Sequence, residues 1–214
     1  MKIIQMKNID LDLSINLKDF NTEKNTVLSL LKSAKRVGKF KRTEEIDNFF
    51  SQQPNYAYKY VKSILIDSCW DYTLNKRVYK NLEEARLSPE NEKVLVKNIK
   101  YAVGYLRITD QKYFRDQKTQ KSFENKVYKI PGASFDYAKY VLKGRIPEEK
   151  ENIFLKDFEH LWYYSCDVLK GFFPDSIHKK LMLCTFNNND PDKTYLDLYF
   201  KGNFEAYSHS YYHY

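Results

Sequence analysis

Val27, Leu30, Leu31, Ala34 and Val37 recur at intervals of three and four residues, which puts all five on one face of a helix beginning near Lys24. A different period marks the segment before it. Ile9, Leu11, Leu13, Ile15 and Leu17 alternate with Asp10, Asp12, Ser14 and Asn16, the pattern of a strand with one buried face. Further along, punctuation frames stretches of three or four helical turns. Ser88-Pro89-Glu90 supplies an N-cap, a first-turn proline and an acid that complements the helix dipole. Asp190-Pro191-Asp192 repeats that device, and Thr43-Glu44-Glu45 is a variant without the proline. Leu181–Phe186 and Tyr195–Phe200 could pair as a hairpin, but the Asp190-Pro191 start signal favours two helices.

The strongest pattern is internal. Residues 124–147 laid on 151–174 share nine of 24 positions: Glu124, Asn125, Lys129, Tyr137, Val141, Leu142, Lys143, Gly144 and Pro147. Fainter copies fall around Tyr60-Val61 with Ile64-Leu65, and around Tyr101-Ala102 with Tyr105-Leu106. Each tyrosine follows a large residue two positions earlier: Tyr58, Ile99, Phe135 or Trp162. A small residue after the tyrosine (Ala102, Ala138, Ser165) would let a neighbouring helix approach, and Val141 and Leu142 would lie on the core face. Gly144 and Gly171 are expected to close their helices as left-handed caps, with Pro147 and Pro174 opening the next element. Hairpins that cannot bury a face alone must stack. The expected fold is therefore mainly α, an irregular array of helical-hairpin repeats with a short N-terminal strand. Residues 1–42 would form an N-terminal segment, 43–203 the repeat domain and 204–214 a tail.

The string Tyr137-Ala138-Lys139-Tyr140-Val141-Leu142-Lys143-Gly144-Arg145-Ile146-Pro147-Glu148 resembles a tandem helical repeat of uncharacterised proteins, many encoded by bacteriophages. The resemblance covers about residues 123–176. It implies a helical fold and a viral origin, with no activity attached. The second copy departs from the string at Phe172, where the first has Arg145.

Composition narrows the chemistry. Three widely spaced cysteines, Cys69, Cys166 and Cys184, contain no Cys-x-x-Cys and suit a reducing, cytoplasmic setting, that of the host if the protein is viral. No apolar run is long enough to span a membrane, and Met1-Lys2-Ile3-Ile4 soon gives way to polar residues, so no leader is expected. Phosphate-cradling loops, Gly-x-Ser-x-Gly and His-Glu-x-x-His are all absent from the sequence. No catalytic residue, metal or cofactor is assigned. His209 and His213 could share a helical face, and His160, Cys166, His178 and Cys184 could cluster, but their spacings match no zinc module. Adjacent acids such as Glu44-Glu45 diverge on a helix and read as surface groups. An enzyme is disfavoured, and a pocket lined by His160 or Asp167 would reverse that reading.

Charge is uneven. Residues 1–150 carry 30 Lys+Arg against 19 Asp+Glu, and residues 151–214 carry 6 against 9. Lys32, Lys35, Arg36, Lys39, Lys41 and Arg42 fall within eleven residues free of acids and could grip phosphates, with Phe40 placed to stack on a base. The competing reading is the ordinary preference of cations for helix C-termini and turns. A second run, Arg107, Lys112, Arg115, Lys118 and Lys121 with Lys126 and Lys129, is diluted by acids and reads as an inserted loop. The favoured function is a non-enzymatic interaction protein presenting a helical-repeat surface to a protein partner, which for a phage protein would be a host factor. The alternatives are nucleic-acid binding through the basic residues or a structural role in a virion.

Overall fold

Local start signals account for most element boundaries in the structure, a computed structural model that describes residues 20–71, 76–184, 190–202 and 204. The chain is mainly helical and divides into two compact units, residues 1–120 and 121–214. The strand expected over 9–17 and the pair His209 and His213 lie outside the described residues, as does most of the 204–214 tail.

In the first unit α1 (Phe20–Arg36) buries Val27, Leu31 and Ala34. Val37, expected on the same face, is 66% exposed because the helix stops at Arg36. Gly38, at φ +71°, turns the chain so that the Lys39 N–H reaches the Ala34 carbonyl at 2.8 Å. Next come α2 (Glu44–Phe50), capped by Thr43, and α3 (Pro54–Tyr60), prolonged by the π-helical turn Val61–Leu65. Strands β1 (Asp67–Asp71) and β2 (Lys76–Lys80) pair antiparallel as a two-stranded sheet. Ser88 caps α4 (Pro89–Leu95) and Asn98 caps α5 (Ile99–Ile108). A Cβ at Gly104 would stand 3.0 Å from the Tyr58 ring, so α3 and α5 meet where a side chain is missing. Helix α6 (Gln117–Val127), with Asp116 accepting from the Thr119 N–H at 2.9 Å, spans the boundary between the units. It replaces half of the loop expected over 107–129, because Phe123 and Val127 are four apart and both buried.

The second unit continues with α7 (Pro131–Asp136) and the π turn Tyr137–Leu142, a 3₁₀ stretch (Glu148–Lys156), and α8 (Phe158–Tyr164) with the π turn Ser165–Leu169. Helices α9 (Asp175–Met182) and α10 (Pro191–Phe200) close it, the latter capped by Asp190. Two helices rather than a hairpin therefore flank 185–189, which lie outside the described residues. The core packs Phe154, Leu161, Trp162, Tyr164, Phe173, Ile177, Leu181 and Tyr199 together.

One polar constellation recurs. Arg86 donates from Nε and Nη2 to Glu92 Oε1 at 3.1 and 3.0 Å, the Tyr105 hydroxyl donates to the same oxygen at 2.7 Å, and that hydroxyl accepts from the Leu87 N–H at 3.0 Å. In the second unit Arg145 binds Glu151 at 2.5 and 2.8 Å, Tyr164 donates to Glu151 at 2.9 Å, and the Ile146 N–H donates to Tyr164 at 3.0 Å. Arg42, Asp47 and Tyr60 form the same triangle, with Nη2 to Oδ2 at 2.6 Å and Tyr60 to Oδ1 at 2.9 Å. Acid and tyrosine are thirteen residues apart each time, and so are Glu124 and Tyr137. Buried carboxylates survive only with such partners.

Two expectations change. The tyrosine of the second hub is the buried Tyr105, one helical turn after Tyr101, which stays half-buried against Tyr58. The left-handed caps are Lys143 and Lys170, at φ 53° and 52°, and not the glycines after them. The π turns carry one extra residue per bond, so the chain reverses at the lysine. The Gly144 and Gly171 N–H groups then bond back to Ala138 and Ser165, each at 3.1 Å. Pro147 and Pro174 open the next elements as expected.

Candidate nucleic-acid interface

The basic turn joins the end of α1 to the Thr43 cap, and the structure sorts its six cations into two groups. The side chains of Lys32, Arg36, Lys39 and Lys41 are exposed, with no hydrogen bond or ion pair among the described residues, and Phe40 beside them is half-buried. The other two are committed to the fold. Lys35 Nζ lies 2.6 Å from Asp67 Oδ1 and donates to the Ile64 and Ile66 carbonyls, tying α1 to the start of β1. Arg42 belongs to the first hub and also donates to the carbonyls of Glu84 and Arg86. Lys24, on the same helix, is buried. It donates to the Phe49 carbonyl at 2.7 Å between the rings of Phe49 and Tyr56, and burial lowers its pKa to about 8.

The second run is less available. Arg115 Nη2 lies 2.9 Å from Glu83 Oε1, and Arg107 and Lys112 also have partners. Lys118 and Lys121 are exposed on α6. The Arg115 backbone N–H donates to Glu92 at 2.9 Å, and Arg86 reaches the Gln111 side chain and the Tyr113 carbonyl, so residues 111–115 are anchored on the second hub.

Groups that could carry bond-making chemistry are otherwise occupied. His160 Nδ1 lies 2.8 Å from Asp157, Asp167 pairs with Lys139 at 2.7 Å, and His178 Nδ1 lies 3.0 Å from the Tyr199 hydroxyl. Burial and the neighbouring carboxylates push the hydroxyls of Tyr60, Tyr105 and Tyr164 far above the usual tyrosine range, so they act as fixed donors. Burial raises the Cys166 thiol to about 12, which leaves it a poor nucleophile. No three His, Cys, Asp or Glu side chains among the described residues stand close enough to hold a metal ion. A crevice of about 360 Å³ between the starts of α2 and α4 is lined by Arg42, Thr43, Asp47, Asn48, Ser88 and Asn91. Most of its polar groups already have partners: Thr43 and Ser88 cap their helices, Asn48 and Asn91 form a 3.0 Å pair, and Asp47 belongs to the hub, while Glu44 and Glu90 at its rim are exposed. Neither His160 nor Asp167 lines it.

The hairpin of β1 and β2 escaped the sequence reading. β-prone Cys69-Trp70 and Val78-Tyr79, set around Asp71 and Asn75, were the available signal. The division into units also sharpens the charge map. Residues 1–120 hold 23 Lys+Arg against 15 Asp+Glu, whereas residues 121–214 hold 13 against 13, so the whole excess of +8 belongs to the first unit. Among the described residues no helix is long and apolar enough to cross a membrane. Comparison with protein-family models, curated proteins and solved structures finds no match to this chain.

Proposed function

We propose that the chain is a non-enzymatic binding protein whose first unit grips nucleic acid through the basic turn. The observation that carries this reading is the separation of charge. Among the described residues the side chains of Lys32, Arg36, Lys39 and Lys41 have no ion-pair partner, in the unit that holds all the excess positive charge, while the fold consumes Lys35 and Arg42. Free cations beside a fixed scaffold suit phosphates, whose binding releases counterions. Electrophoretic mobility shifts with RNA and DNA across a salt series test it. Binding that weakens steeply with salt, and a shallower slope after alanine replaces the four cations, is the expected result. No binding to any nucleic acid at low salt removes the reading.

A protein partner is the second reading, favoured by the neutral second unit, where Phe172, Met182 and Leu183 are 48, 66 and 82% exposed. Affinity purification with and without nuclease separates the two, since a partner held directly survives the nuclease. The phage association implied by the repeat string extends this reading to a host factor in the host cytoplasm or to a virion component. Absence from purified particles rules out the virion role.

A further inference from the structure

The same pairing of ring and lysine occurs in both units, placed by the hub tyrosines. Phe135 stands two residues before Tyr137, and Tyr58 two before Tyr60. Each ring has a lysine from one helical turn on above it, with Lys139 Nζ 5.3 Å from the Phe135 ring centre and Lys62 Nζ 5.7 Å from that of Tyr58. Each ring also meets the helix that carries the next hub tyrosine. Phe135 packs on His160 and Tyr163 of α8, and Tyr58 on Tyr101 and Gly104 of α5.

The charges set on this common frame differ. Five residues before Tyr164 stands Glu159, and three after it Asp167, whereas the same positions around Tyr105 hold Lys100 and Ile108. In the second unit Asp167 takes the Lys139 ammonium at 2.7 Å, and Tyr163, whose hydroxyl donates to Glu159 at 3.1 Å, fills the space beside Phe135. In the first unit Gly104 takes the place of Tyr163, and the exposed Lys62 side chain has no ion pair among the described residues. No carboxylate occurs from Pro54 to Leu65 or from Ile99 to Ile108. Lys100 and Arg107, four residues before Gly104 and three after it, share its outer face of α5 and are exposed, though both also have contacts within the fold.

Glycine inside a helix is destabilising, so Gly104 calls for a compensating contact. A Cβ there would stand 3.0 Å from Tyr58 Cε2 and 3.5 Å from its hydroxyl oxygen. The missing side chain seats the Tyr58 hydroxyl against α5, one turn from Lys100 and from Arg107, with Lys62 over the ring. A hydroxyl ringed by cations on two acid-free helices suits phosphate oxygens, which accept from all of them. Lys35, within the basic turn, donates to the carbonyl of Ile64, two residues after Lys62 in the same π turn.

We propose that α3 and α5 carry a second phosphate-binding site of the nucleic-acid interface, formed by Tyr58, Lys62, Lys100 and Arg107, so that a nucleic acid held at the basic turn is held here by its backbone as well. This rests on the nucleic-acid reading given above, which uses the turn alone.

Lys62→Gln with Lys100→Gln removes two charges without touching a hub or the four turn cations. Fluorescence anisotropy with a labelled oligodeoxythymidine and a labelled DNA duplex, across a salt series, is the measurement. On whichever probe the unaltered chain binds more tightly, this double variant should weaken binding and make the slope of log affinity against log salt shallower by about 1.4–1.8. Lys139→Gln with Lys170→Gln, the same loss of charge from the second unit, should leave both unchanged. Far-UV circular dichroism confirms that each variant keeps its helices. Unchanged affinity and slope in the first double variant, while alanine at the four turn cations still weakens binding, overturns the second site and leaves the turn as the interface. Equal losses from the two double variants overturn it too, since net charge alone would then account for the effect. No binding of either probe at low salt overturns both readings.

Discussion

Two stretches of the second unit, 27 residues apart, build the same turn from different chemistry. At the first, Arg145, Ile146, Pro147 and Glu151 meet Tyr164; at the second, Phe172, Phe173, Pro174 and His178 meet Tyr199. The Tyr199 hydroxyl accepts from the Phe173 N–H at 3.0 Å, as Tyr164 accepts from Ile146. Phe172 packs its ring edge-to-face against His178 and Tyr199, each at 5.3 Å, where Arg145 would have placed its fork. Arginine and acid are thus replaced together, because a buried carboxylate without its cation is costly. What stays constant is a tyrosine hydroxyl that satisfies the N–H just before the next element. The carboxylate and the imidazole are two ways to orient that hydroxyl.

The largest effect should come from breaking a charged hub. Glu92 is fully buried, and Glu92→Ala removes the carboxylate that Arg86, the Tyr105 hydroxyl and the Arg115 N–H share, leaving the buried Arg86 charge without its counter-ion. Urea unfolding should show a loss of about 3–5 kcal/mol, against about 1–2 kcal/mol for His178→Ala in the hub that lacks the arginine and the acid. Equal losses would mean that charge pairing does not distinguish the two designs.

Removing the common element should narrow the gap. Tyr164→Phe and Tyr199→Phe each strand a buried N–H and should cost about 1–3 kcal/mol, with Tyr164→Phe the larger because its partner is charged. These tyrosines also set an alkaline limit. Burial raises all four hub hydroxyls, and the adjacent acids raise Tyr60, Tyr105 and Tyr164 further. The folded chain keeps protons that the unfolded chain releases near pH 10, so stability present below that pH is lost as pH rises above it. Tyr164→Phe should make that decline shallower, and an unchanged decline in alkaline melts would count against hydroxyl burial as its source.

A conversion tests whether the two designs are interchangeable. His178→Glu places an acid beside Tyr199 with no arginine and should destabilise, whereas adding Phe172→Arg should recover part of the loss. The two changes should couple by about 1 kcal/mol or more in a double-mutant cycle. Strict additivity would show that the second turn cannot seat the fork.

The legible parts of this fold were local. Thr43, Ser88 and Asp190 each bond an N–H two or three residues on, so a short window reveals the helix start. The hubs were not legible, because their contacts span thirteen and eighteen residues. Tyr101 and Tyr105 share a helical face, and periodicity cannot choose between them. The basic turn shows the same divide. Its six cations look alike along the chain, and Asp47 and Asp67, distant or on another element, decide which two are consumed.

The smallest effect bears on what the two turns share. Lys143 and Lys170 adopt a left-handed backbone that crowds Cβ against the carbonyl, so glycine at either position should stabilise the chain. The gain is offset by the greater freedom of glycine when unfolded, which leaves at most about 1 kcal/mol. Because the reversal belongs to the π turn and not to the hub chemistry, Lys143→Gly and Lys170→Gly should raise the unfolding temperature by equal amounts. Gly144→Ala provides the control, since a Cβ there would meet only the Leu142 carbonyl, at 3.9 Å, and should change little. Unequal gains from the two lysines would tie the backbone reversal to the charge of the neighbouring hub and undo the separation of turn from chemistry.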